Sequence, residues 1–166
     1  MEIITFADAE IAAMSIKQTA WRRAGTTGLT TMIKSKLKKI IRDVADKRYA
    51  KKIDISFIDG TGLYNHACHL NAVNKARDGS SCAVVEVVMI NDDGATAHYI
   101  NMQSDGAYVD YTLGWHWSGA DYRFVRFVPF TEWPDITGSL SRLKSELCKP
   151  VAKWQKLLMI TDGELC

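Results

Sequence analysis

Residues 63–73, Leu-Tyr-Asn-His-Ala-Cys-His-Leu-Asn-Ala-Val, set Cys68 between His66 and His69 and shortly after Asn65, a residue type that starts helices. A thiol becomes a nucleophile when it ionises near neutral pH, and the first turn of a helix favours the anion through its unpaired N–H groups and dipole. With Asn65 as the N-cap, Cys68 takes the third helical position. Activation also needs a base, and the base needs a third group that holds its tautomer and ring plane. His98 follows Cys68 by 30 residues and Asp110 follows His98 by 12, so nucleophile, base and carboxylate stand in that order.

His98 and Asp110 can meet only if the segments carrying them pair. Residues 96–103 and 107–113 are β-branched and aromatic, and Ser104-Asp105-Gly106 forms a turn between them. A hairpin centred near residue 105 sets position 98 opposite about 112, with 110 as its diagonal neighbour on the same face. Residues 82–90, joined through the Asn91–Gly94 turn, add a third strand to an antiparallel meander. The stretch 121–130 alternates Tyr122, Phe124 or Val125, and Phe127 with arginines and ends near Pro129, which reads as a further strand at an edge. A short strand candidate at 51–60 precedes the cysteine helix.

Helices flank this sheet. Asp8 caps a run through Arg23 that contains Ile11, Met14 and Trp21, and Gly25 and Gly28 then interrupt it. A second helix places Leu29, Ile33, Leu37, Ile40, Ile41 and Val44 on one face, with Lys34, Lys36, Lys38, Lys39 and Arg42 on the other. Near the C-terminus, Asp135 or Ser139 caps a helix through Cys148, and Pro150 permits a short helix with Trp154, Leu157 and Leu158. The expected fold is α+β in one domain, 1–166. Residues 1–50 are its helical N-terminal part, the nucleophile helix packs on an antiparallel sheet of four or five strands, and a helix closes the chain.

The order of helix-borne cysteine, strand with Ala97-His98 and an aromatic, then turn glycine and Tyr108-Val109-Asp110 before Thr112-Leu113-Gly114, resembles the papain-like superfamily in its transglutaminase-like and arylamine-acetyltransferase-like branch. The resemblance covers about Tyr64 to Gly114. It implies Cys68 as nucleophile, His98 as general base and acid, and Asp110 as the residue orienting His98. The backbone N–H of Cys68 would then hold the oxyanion, with Asn65 a side-chain donor and His69 beside them. The chain has Tyr99 and Ile100 where the family carries tryptophan after the histidine, and Tyr111 and Thr112 where it commonly carries proline. The implied activity is a cysteine hydrolase (peptidase, isopeptidase or amidase) acting on a peptide or protein through a thioester. Trp115, His116 and Trp117 are candidate walls of the substrate cleft.

Other classes are disfavoured. A net charge of +2, from 21 Lys and Arg against 19 Asp and Glu, argues against a nucleic-acid partner. The chain is 47% hydrophobic, but no apolar run approaches the roughly 20 residues that span a bilayer. The N-terminus opens acidic, without a signal sequence, so no membrane partner is expected. The expected location is cytoplasmic, including a host cytoplasm if the chain is virus-encoded, with the four cysteines as free thiols. His66, Cys68 and His69 point in different directions on one helix, with only 66 and 69 sharing a face, so neither metal nor cofactor is expected even with His98 nearby. No phosphate cradle is present to support an acyl-coenzyme substrate. The rival reading is a non-catalytic interaction protein on the same fold, working through the basic helix over 27–50 and the aromatic loop at 115–117. The sequence does not fix the oligomeric state.

Overall fold

The computed structural model describes residues 32–33, 35–57, 67–92, 94–113 and 119–152. The chain divides into two compact units, 1–36 and 37–166. In the first, residues 32, 33, 35 and 36 are helical; the helix expected from Asp8 to Arg23 lies outside the described residues. The second unit is α+β. Helix α1 (37–48) is followed by β1 (Lys52–Ile53), β2 (Ile55–Phe57), α2 (Cys68–Arg77), β3 (Ala83–Asn91), β4 (Gly94–Met102), β5 (Tyr108–Asp110) and β6 (Asp121–Val128). A 3-10 helix (Phe130–Asp135) then leads into α3 (Ile136–Leu147). Asp135 is the α3 N-cap and Cys148 its C-cap; the short helix expected around Trp154 lies outside the described residues.

The sheet has six strands in the order β1-β6-β3-β4-β5-β2, where four or five antiparallel strands were expected. All its pairs are antiparallel except β2 with β5, which runs parallel. Only Asp54 separates β1 from β2, yet these strands lie at opposite ends of that order. One stretch of chain thus bridges both edges, and the sheet nearly closes on itself. β6 is interior, between β1 and β3, and not an edge strand. Pro129 causes no conflict because it follows the last paired residue, Val128.

β3 explains the central position of its sequence. Val84, Val85, Val87 and Val88 have no exposed surface, as a strand covered on both faces requires. Burial at about 1.5–3 kcal/mol per side chain offsets the several kcal/mol that one buried ion such as Glu86 costs before it is paired. Val85, Val87 and Met89 face inward with Ile100, Tyr122 and Ile53. On the other face, Val84 and Tyr99 pack with Cys68, Ala72 and Val73 of α2 and Ile136 of α3. α1 contributes Leu37, Ile41 and Ala45, one buried residue per turn.

A bulge settles which of Phe124 and Val125 faces inward. β6 pairs Arg126 with Glu86 but Phe124 with Val87, so Val125 is the extra residue. Without it Arg126 would share the inward face of Tyr122 and Phe124. With it, the guanidinium turns to the helix side and meets Glu86 at 2.7 Å.

Register in the β4–β5 hairpin is set by the turn. Gly106 has φ 87°, its N–H donates to the Gln103 carbonyl at 3.0 Å, and the Gln103 N–H donates to the Ala107 carbonyl at 2.9 Å. Asn101 pairs with Val109 and Met102 with Tyr108; continued, this register sets 98 opposite 112. The strand expected over 107–113 stops at Asp110 because the Asp110 carboxylate captures the backbone N–H groups of Thr112 and Leu113, at 2.8 and 3.0 Å.

Cys68 and Cys82 are free, but Cys148 is disulfide-bonded, which corrects the expectation of four free thiols and removes its support for a reducing compartment. No described helix is long and apolar enough to cross a membrane. Gly106→Ala, which forces a Cβ into a left-handed backbone, should lower stability by about 1–2 kcal/mol in urea denaturation; an unchanged midpoint would show that this turn does not hold the register.

Candidate functional site

Cys68 is the first residue of α2, not the third: the N-cap is Ala67, which makes no side-chain capping bond. Asn65 and His66 lie outside the described residues. The helix begins where packing demands, since Cys68, Ala72 and Val73 are the apolar residues it buries against the sheet. The first intrahelical bond runs from the Asn71 N–H to the Ala67 carbonyl, 3.0 Å. Helical geometry therefore gives the Cys68 N–H no intrahelical acceptor.

The hairpin register brings His98 and Asp110 together. His98 Nε2 lies 2.8 Å from Asp110 Oδ2, with both side chains buried. This contact takes Nε2 and leaves Nδ1 as the ring nitrogen available to the thiol. Asp110 has no exposed surface. Its Oδ1 accepts the two backbone N–H groups of the turn, while Oδ2 accepts from His98 and also from the Tyr122 hydroxyl at 3.0 Å. Burial opposes the Asp110 charge, but the His98 charge and hydrogen bond, followed by the Leu113 and Thr112 N–H groups, hold its carboxyl below the usual carboxylate range. Burial, reinforced by the neighbouring carboxylate, keeps the Tyr122 hydroxyl protonated.

The cysteine completes the set. Burial works against a thiolate at Cys68, but the His98 charge, then the His69 and His98 side chains and the Tyr99 backbone N–H, lower it to about 6. Burial likewise disfavours a charged His98, yet the Cys68 thiolate and Asp110 raise it to about 10. The two shifts have one cause, since each group favours the charged form of the other. A paired thiolate of this kind can attack an electrophilic carbon, and the imidazolium beside it can protonate a leaving group.

His69 is buried next to Cys68, with its ring edge-on to Tyr99. Trp115, His116 and Trp117 lie outside the described residues, so the cleft they were expected to wall is not described. Among the described residues no group of three His, Cys, Asp or Glu is arranged to hold a metal ion. On α1, exposed Lys39 and Arg42 alternate with exposed Asp43 and Asp46, and Arg42 pairs with Asp92 at 3.7 Å, so the outer face of this part of the helix carries both signs of charge.

Sequence reasoning missed two contributors. Tyr122 was recognisable as inward-facing from its alternation, but nothing local says that its hydroxyl reaches Asp110 from a strand two removed from the hairpin. Tyr99 occupies the position after the histidine. Its N–H serves the Cys68 sulfur, and its hydroxyl donates to Glu86 at 2.5 Å. Glu86 in turn holds Arg126, which grips Glu132 through two contacts of 2.8 and 2.7 Å.

Comparison of the chain with protein-family models, curated proteins and solved structures gives no match.

Removing the Tyr122 hydroxyl tests the carboxylate's support. Tyr122→Phe should cost about 1.5–3 kcal/mol at neutral pH, the range for a hydrogen bond to a charged group. Asp110 is held low in the folded state, so the stability it contributes is present above the unfolded carboxylate value and lost as pH falls. The gap between wild type and variant should therefore narrow in acid. Denaturation curves at neutral and acid pH that stay equally far apart would contradict this role.

Proposed function

We propose that this chain is a cysteine hydrolase that cleaves a peptide, isopeptide or related amide bond through a thioester on Cys68, with His98 as acid and base and Asp110 orienting His98. The observation that carries the reading is the buried 2.8 Å contact between His98 and Asp110, on a ring that also stabilises the Cys68 thiolate. The resemblance of residues 64–114 to the transglutaminase-like branch of the papain-like superfamily supports the same assignment.

The reaction follows from these groups. The Cys68 thiolate attacks the carbonyl carbon, and charge passes to the carbonyl oxygen, where the N–H at the start of α2 donates to it. His98 gives its proton to the departing amine as the C–N bond breaks, leaving a thioester and a neutral imidazole. Water then adds while His98 takes one of its protons. The C–S bond breaks, the acid departs, and the thiolate–imidazolium pair is restored. Asp110 stays ionised throughout, holding Nε2–H so that Nδ1 faces the chemistry.

Peptide or protein is the substrate class favoured, as no motif in the sequence resembles a cradle for a coenzyme phosphate. The cavity of about 280 Å³ bounded by Arg48, Arg126, Arg142, Glu86, Glu132 and Glu146 does not include Cys68. Its arginines pair with its glutamates, which leaves no net charge to recruit a charged ligand.

Iodoacetamide should label Cys68 faster than Cys82 at neutral pH, at a rate rising with pH through about 6 as the thiolate forms. Incubation with peptides, with glutamine donors plus amines, and with acyl-coenzyme A should give a peptide acyl adduct that is absent in Cys68→Ala, read by intact mass. Asp110→Asn should slow turnover by about 10³–10⁴-fold by releasing the tautomer. Labelling no faster at Cys68 than at Cys82 would remove the nucleophile. An adduct from acyl-coenzyme A alone would replace hydrolysis by acyl transfer.

A further inference from the structure

His69 is a buried ionisable group that the reaction above does not use. It directly follows Cys68 on the first turn of α2 and is 9% exposed. Its ring is held edge-on against Tyr99, with centroids 6.4 Å apart and planes at 62°. Its Nδ1 is buried and has no hydrogen-bond partner. A buried polar atom in that condition demands an explanation, because water's hydrogen bonds have been given up and nothing has replaced them.

The sulfur of Cys68 supplies the explanation. A thiol is a weak acceptor, whereas a thiolate is a strong, charged one. Cys68 immediately precedes His69 and is buried in one cluster with Tyr99, the residue against which the His69 ring lies, and the His69 side chain is among the groups that lower the Cys68 thiol. Tyr99 fixes both participants, since its backbone N–H serves the sulfur and its ring orients the imidazole. Among the described residues, Cys68 adjoins His69 on α2 and Tyr99 on β4 lies against its ring, with Glu86 on β3 reached through the Tyr99 hydroxyl, while His98 on β4 acts on the sulfur itself.

We propose that His69 is a second positioning residue for the nucleophile, its Nδ1–H closing on the Cys68 sulfur whenever the sulfur is ionised; this inference rests on the thiol-hydrolase reading. A neutral imidazole with its proton on Nδ1 is sufficient for the role. In the first half of the reaction the C–S bond forms, the sulfur loses its charge, and the His69 contact weakens. In the second half the C–S bond breaks and its electron pair returns to sulfur, where His69 again receives it. His98 is then left to exchange protons with amine and water without being the thiolate's sole support, and a better-stabilised thiolate is also a better leaving group from the thioester.

The test is the pH dependence of Cys68 alkylation by iodoacetamide, read by peptide mass, in wild type, His69→Phe and His69→Asn. Phenylalanine keeps a ring against Tyr99 and removes both nitrogens, while asparagine returns an N–H near the place of Nδ1. The midpoint should rise by about one pH unit in His69→Phe, the scale of one hydrogen bond to a charged group, and return most of the way in His69→Asn. A depressed wild-type midpoint that His69→Phe leaves in place overturns this inference alone. A wild-type midpoint at the ordinary thiol value overturns it together with the reading beneath it. Should neither variant fold, the ¹⁵N resonance of His69 Nδ1 in the wild-type chain should move when Cys68 is S-methylated, and an unmoved resonance overturns the proposal.

Discussion

Asp110 has no exposed surface and carries a charge, and such an ion is tolerated only when its lone pairs are filled by donors that cannot drift away. Four donors fill them. Two are backbone N–H groups of its own turn, the third comes from His98 on β4, and the fourth from Tyr122 on β6. Meeting that requirement brings three strands of the sheet together at one carboxylate. β2 adds a parallel partner at the same point, pairing Phe57 with Asp110. The near-closure of the sheet through Lys52–Phe57 and the anchoring of its buried charge are thus parts of one arrangement.

From that carboxylate the order passes outward to Cys68, the proposed nucleophile. Asp110 holds His98, the His98 charge favours an ionised Cys68, and α2 carries Cys68. Tyr99 ties this set to the other face of the sheet, because the residue whose N–H serves the sulfur also holds Glu86, and Glu86 holds Arg126. Arg126 joins Glu132 in the 3-10 helix, and Glu132 accepts from Ser139 and Arg142 of α3. The Val125 bulge makes this possible, by letting β6 send Tyr122 to one face and Arg126 to the other.

The parts of the site read from sequence are those set by short separations. His98 and Asp110 are joined by a single hairpin whose glycine turn fixes the register, and a period of two then decides that they share a face. Other features depend on distant chain. The passage of β6 through the sheet interior and the parallel pairing of β2 with β5 join strands that no single hairpin connects, and the Tyr122 hydroxyl, although only 12 residues from Asp110, reaches it from β6, a strand that is not a neighbour of β5 in the sheet. The bulge was visible only as an unresolved choice between Phe124 and Val125. The start of α2 at Cys68 departs from capping preference because burial against Tyr99 and Val84 decides it, and a cap residue such as Asn65 contributes only about 1 kcal/mol in comparison.

The central claim is that His98, held by Asp110, carries the proton that Cys68 has lost. The most direct measurement is the ring ¹⁵N spectrum of His98 across the neutral range. The account predicts that both ring nitrogens remain protonated well above the ordinary histidine value and that the charge titrates near 10 in the free protein. A His98 that loses its second proton near the ordinary value of about 6.5, with Cys68 still a thiol, would contradict it.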